Sequence, residues 1–165
     1  MIKRYEVKEI VDIWSQENKL STWKKVESSV TKSLEEEGIV PKGLSEKILD
    51  ANVTVKEVEA REKVTNHDLA SFVDILQDKV NEDSEWIHYG LTSSDVVDTS
   101  NSLLILESLN FLIGEVDKLI STLKNLAIKE KDTKIIGRTH GVFAEVTCLG
   151  NIISNWLLEI HRNKE

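Results

Sequence analysis

At 165 residues the chain is long enough to bury one core, and 40% hydrophobic with 30% charged residues, no repeat and no low-complexity tract read as a globular domain. A net charge of -8 argues against binding along a nucleic-acid backbone, and one cysteine, Cys148, excludes an internal disulfide framework and fits a reducing cytoplasm. MIKRYEVKEI lacks the apolar stretch of a signal peptide and no eighteen apolar residues run together, so neither export nor membrane insertion is expected.

One Pro and seven Gly leave few breakers, which predicts an all-α fold. Val7, Ile10, Val11 and Trp14 predict a short first helix. Trp23, Val26, Val30 and Leu34 predict a second, opened by Ser21 or Thr22 and stopped by Gly38 and Pro41, with Glu35–Glu37 as its solvated end. Ser45 is expected to cap a short helix through Leu49. Thr54 is expected to cap another with Val55, Val58 and Val64 inward, followed by Leu69, Phe72, Val73, Leu76 and Val80.

The stretch WIHYGLTSSDVVDT, Trp86–Thr99, packs polar and apolar residues in an order that folding alone does not require. Gly90 permits a turn, and the hydroxyls of Thr92, Ser93 and Ser94 precede a long apolar-rich pattern. A helix starting there gathers unpaired N–H groups, hydroxyls and the positive end of the helix dipole, which suits a carboxylate or phosphate; a plain structural cap is the alternative. Asp95 and Asp98 read as companions of that helix start rather than acid–base groups.

From Asp95 to about Lys129 there is no Pro, and a helix of about 34 residues would span roughly 50 Å. Ile105, Phe111 and Ile113 widen its apolar surface beyond one stripe, which predicts burial against several neighbours and hence oligomerisation. The domain division expected is 1–94 and 95–165. In IIGRTHGVFAEVTCLG, Gly137 and Gly141 bracket a cation, a hydroxyl and an imidazole, a backbone able to approach a ligand; a surface turn without chemistry is the rival reading. Ile152, Ile153, Trp156, Leu157 and Ile160 predict a last amphipathic helix, with His161 solvated and Cys148 a small buried apolar residue.

Four ordered motifs carry a resemblance over essentially the whole chain: Arg4–Tyr5, NHD at Asn66–Asp68, HYGLTSSDVVDT at His88–Thr99 and GRTHGVFAE at Gly137–Glu145. Together they resemble the adenylosuccinate lyase family of the fumarase/aspartase superfamily. A muconate cycloisomerase resembles the TS-x-D-V-x-D-T block too, but the HYG prefix and the N-terminal RY favour the former. The resemblance implies an N-terminal helical domain followed by the first long helices of a central bundle. It also implies β-elimination of fumarate from adenylosuccinate, giving AMP, and from the succinylated carboxamide intermediate of purine synthesis. Such chemistry needs donors around a carboxylate whose neighbouring carbon loses a proton, and a general acid for the departing purine nitrogen.

On the resemblance His140 is the general acid, with Thr139 holding substrate beside it. Thr92 and Ser93 bind the succinyl carboxylates, His67 and Asp68 the nucleotide, and His88 lies near the phosphate or the acid. Arg4 and Tyr5 bind phosphate, Arg4 through a bidentate fork. The family implies no metal or organic cofactor and a homotetramer whose sites draw on three subunits, while charge, the single cysteine and the lack of a long apolar run give the expectation of no nucleic acid or membrane partner and a cytoplasmic setting. The chain departs from the pattern at Phe143 in place of a second histidine, Val146 in place of a proline, and Cys148–Leu149 before Gly150. It ends at Glu165, whereas the family continues into a serine-rich loop that supplies the general base, so the isolated chain is expected to be inactive. The other readings are a non-catalytic helical binding or oligomerisation fragment, and another lyase or cycloisomerase of the superfamily.

Overall fold

The computed structural model describes residues 2–164. It divides into two compact units, Met1–Ser108 and Leu109–Glu165, with the division inside one long helix. No helix among the described residues is long and apolar enough to cross a membrane.

In the first unit a 3-10 turn, Lys3–Tyr5, precedes α1 (Lys8–Ile13), α2 (Gln16–Glu36), α3 (Leu44–Asp50), α4 (Val55–Thr65), α5 (Asp68–Val80) and the opening of α6 (Ser93–Lys129). Trp23 of α2 meets Phe72 of α5 edge to face, with ring centroids 5.4 Å apart. Leu44, Ile48, Leu69, Leu76 and Val96 close the core around them. The helix faces assigned from apolar spacing are therefore mostly the packed ones; the exceptions are Val7 and Trp14 at the two ends of α1 and Val64 near the end of α4, all exposed.

The helix starts are local events. Thr54 and Glu57 form a reciprocal capping box on α4. α2 starts earlier than Ser21 or Thr22: Ser15 caps it, its Oγ accepting from the Asn18 N–H at 3.1 Å. α3 begins at Leu44 after Gly43, whose φ of 89° only glycine adopts cheaply. Ser45 is thus not a cap, but donates its N–H and hydroxyl to the two carboxylate oxygens of Glu35 at 2.7 and 3.0 Å. Glu35 is correspondingly buried, and only Glu36 and Glu37 form a solvated helix end.

In the second unit the distal part of α6 leads to an antiparallel hairpin, β1 (Lys134–Thr139) and β2 (Val142–Cys148), and then α7 (Leu149–Lys164). This small sheet is an addition to an otherwise all-α fold. The Lys164 ammonium reaches the Asp117 carboxylate while Gly150 packs under the backbone of Ala127 and Lys131, so α7 runs antiparallel to the end of α6. Gly150 is required there: a Cβ would lie 2.5 Å from the Ala127 carbonyl oxygen. Cys148 is half-buried and His161 exposed. Along its 37 residues α6 exposes large apolar side chains, Leu106, Leu109, Leu112 and Leu119 among them, each about half accessible.

Candidate active site

His67 precedes α5 as its N-cap, in extended backbone after Asn66 in the left-handed region. Its Nδ1 accepts from the Ala70 N–H at 3.3 Å, which puts the neutral ring's proton on Nε2. Nε2 faces Ser93 Oγ at 3.4 Å, a long contact across 26 residues of sequence. Thr65 and Ser71 lock the turn beneath it: their hydroxyl oxygens are 2.6 Å apart, and the Ser71 hydroxyl donates to the His67 carbonyl at 2.7 Å.

Asp68 accepts from the Leu69 N–H at 2.7 Å through Oδ1, while its Oδ2 faces the Lys19 ammonium at 3.6 Å. Lys19 in turn lies 4.4 Å from the centre of the Trp23 ring. Lys19, Trp23, Val58, Glu62 and Asp68 line a cavity of about 320 Å³.

Ser93 is the first residue of α6, and Asp95 closes that helix start, accepting from the Thr92 N–H at 2.8 Å. The Asp95 carboxylate is thus spent on the helix terminus, as its position suggests, while Thr92 is exposed and Ser93 half-buried.

His88 sits in the loop before α6 with φ of 66°, a left-handed backbone. Its Nδ1 lies 2.6 Å from Glu27 Oε1, and its backbone N–H donates to Glu27 Oε2 at 3.2 Å. The Glu27 side chain is 1% exposed. Burial pushes its carboxyl above the ordinary range, and the hydrogen bonds from His88 oppose that rise. Glu27 was not singled out from the sequence. The signal available was a carboxylate four residues after Trp23, on the buried stripe of α2.

Arg4 and Tyr5 stand exposed on the first 3-10 turn, the guanidinium 4.8 Å over the phenol ring. The first unit thus gathers His67, Asp68 and Ser93 at one place with Thr92 adjacent in the chain, ties His88 to Glu27, and stacks Arg4 on Tyr5.

In the second unit Thr139 pairs with Val142, so His140 and Gly141 are the two central residues of the hairpin turn. Their φ values of 53° and 78° match the type I′ turn that suits the strand twist. His140 is therefore held at the exposed tip in a conformation uncommon for a residue with a side chain. Gly137 lies at the register irregularity between Ile136 and Arg138, its Cα facing the Glu145 carbonyl so closely that a Cβ would sit at 3.1 Å. Phe143 stays exposed, with the Arg138 guanidinium 4.9 Å over its ring.

Comparison with known proteins adds a family to this geometry. A family model described as Lyase matches residues 3–165. Adenylosuccinate lyase of Thermotoga maritima is 41% identical over 164 residues, which are 99% of this chain and 38% of that protein. Adenylosuccinate lyase of Aquifex aeolicus is 40% identical over 169 residues, covering 100% and 39%. The chain thus spans just under two fifths of the length of these curated relatives. Among solved structures, fumarate lyase from Mesorhizobium sp. BNC1 superposes with a TM-score of 0.88 at 20% identity, over 94% of this chain and 38% of that one, a likeness of fold.

Proposed function

The chain belongs to the lyase family, and on that premise we propose that it forms part of an adenylosuccinate lyase acting in purine biosynthesis. Residues 1–94 serve as the helical domain carrying the nucleotide side of the site, and 95–165 as the start of a central bundle that assembles into a cytoplasmic homotetramer. The single observation carrying this reading is the meeting of His67 and Ser93, which brings the NHD and TSSD motifs to one helix start.

In the reaction a base takes the proton from the carbon next to a carboxylate of the succinyl group. The electron pair left behind forms the C=C bond of fumarate as the C–N bond breaks, and the purine nitrogen takes up a proton to give AMP. Thr92 and Ser93, at the N-terminus of α6, stabilise the negative charge that builds on that carboxylate. His67 and Asp68 orient the nucleotide beside them, His88 contacts its phosphate or the acid, and Arg4 with Tyr5 binds its phosphate. His140, at the hairpin tip, donates the proton to the leaving nitrogen, with Thr139 holding substrate next to it. No residue of this chain is assigned as the base, and the isolated 165 residues bind nucleotide without turning it over.

The test is calorimetric titration of the chain with AMP and with 3-carboxy-cis,cis-muconate, alongside an assay of fumarate release from adenylosuccinate at high protein concentration. AMP binding without fumarate release is the expected result. Preference for the muconate would favour a cycloisomerase, and sustained release would overturn the inactivity of the isolated chain.

A further inference from the structure

Glu27 is a carboxylate in the inner stripe of α2, where an apolar residue would fill the same space without being stripped of water. Both of its oxygens go to one residue 61 positions away, Oε1 to the ring and Oε2 to the backbone N–H of His88. That double grip fixes two independent things. The backbone contact holds His88 in its left-handed conformation, at φ 66°. With Glu27 ionised, as its hydrogen bonds from His88 favour, the ring contact makes Nδ1 the protonated nitrogen, because a carboxylate accepts and does not donate. Nε2 is then the nitrogen that gains and loses a proton, and it has no hydrogen-bond partner among the described residues. The ring remains partly accessible, its side chain 22% exposed.

We propose that Glu27 is a positioning residue for substrate: through its double contact it holds His88 as the Nδ1–H tautomer and turns Nε2 to the nucleotide. Nε2 then accepts from a ribose hydroxyl when the ring is neutral, and donates to a phosphate oxygen when it is protonated. The inference rests on the reading of His88 as a nucleotide contact. It adds to that reading a buried residue that touches no ligand itself. A merely structural carboxylate would influence stability alone, whereas a positioning one also sets the tautomer of a ring on another element.

The experiment uses the 165-residue chain, with AMP as the probe. Long-range proton–nitrogen NMR spectra assign the His88 tautomer in the unsubstituted chain, in Glu27→Gln and in Glu27→Ala. Glu27→Gln keeps the shape and protects against loss of the fold. The expected result is Nδ1–H in the unsubstituted chain and a shift to the Nε2–H form, the one free imidazole favours, in Glu27→Ala. AMP affinity is expected to fall about tenfold in Glu27→Gln and by a similar factor in His88→Ala, with no further loss in the double variant, since both act through one ring. An Nε2–H ring in the unsubstituted chain, or affinity losses that add in the double variant, would overturn the proposal. Failure of the unsubstituted chain to bind AMP would remove the nucleotide reading. The tautomer spectra would still decide whether Glu27 sets the His88 ring.

Discussion

His67 Nε2 faces Ser93 Oγ at 3.4 Å because His67 spends its other ring nitrogen capping α5. One side chain thus ends a loop and points at the start of another helix. The two jobs separate by substitution. Asn is a better N-cap than His and lacks the ring. His67→Asn is expected to keep the melting temperature while weakening AMP binding at least tenfold. His67→Ala is expected to lose the cap as well, about 1 kcal/mol. Equal AMP affinity in the unsubstituted chain and His67→Asn would remove His67 from the site.

The turn His140–Gly141 carries the same tension in another form. The left-handed pair favours Asn–Gly over His–Gly. His140→Asn is therefore expected to leave the hairpin as stable or more stable, by up to about 1 kcal/mol, measured by hydrogen exchange across β1 and β2. In a chimera with an adenylosuccinate lyase relative, the same variant is expected to show no turnover. A hairpin destabilised by this exchange would show that the ring holds the turn rather than serving chemistry.

Gly150 lies against the backbone of Ala127 and Lys131. An added Cβ would lie 2.5 Å from the Ala127 carbonyl oxygen and 2.8 Å from the Lys131 Cα. Gly150→Ala is expected to cost about 1–3 kcal/mol. The loss should appear first as faster amide exchange in α7, and a melting curve unchanged by the substitution would contradict the close approach.

Acid dependence has a named contributor. The Glu57 carboxyl is lowered from 4.5 to about 2, first by the hydrogen bond from Lys79 and then by those from Thr54. A group whose folded pKa is depressed stabilises above its unfolded pKa and stops doing so as pH falls through the folded one. The contribution is therefore present above about pH 4.5 and fades toward pH 2. Melting temperatures of the unsubstituted chain and Glu57→Gln, followed from pH 6 to pH 2, are expected to differ at the upper end and converge at the lower. Parallel curves would assign the acid response to other groups.

Much of this fold is written in local pattern. α4 is legible from Thr54 because its partner Glu57 lies three residues on, and α6 from a recurring apolar pattern that no Pro interrupts. The start of α2 is hidden, because its first turn is polar and its apolar stripe begins only at Leu20 and Trp23. The hairpin is hidden for a related reason: its turn uses His–Gly where the familiar signal is Asn–Gly. Spacing can set Glu27 on the inner stripe of α2 but names no partner for it or for Glu35, since His88 and Ser45 are brought to them by tertiary packing. The same holds for the site. The motifs around His67, Ser93 and His140 announce themselves as motifs, whereas the carboxylate behind His88 is visible only once α2 and the loop before α6 are seen together.

The most direct test of the account transplants the chain. In one of the adenylosuccinate lyase relatives, the segment this chain matches is replaced by these 165 residues, and fumarate release from adenylosuccinate is followed. The expected result is turnover that His140→Ala abolishes while the chimera stays folded. A folded chimera without turnover, or one whose turnover survives His140→Ala, would contradict the claim that these residues supply the nucleotide side and the general acid of a lyase site.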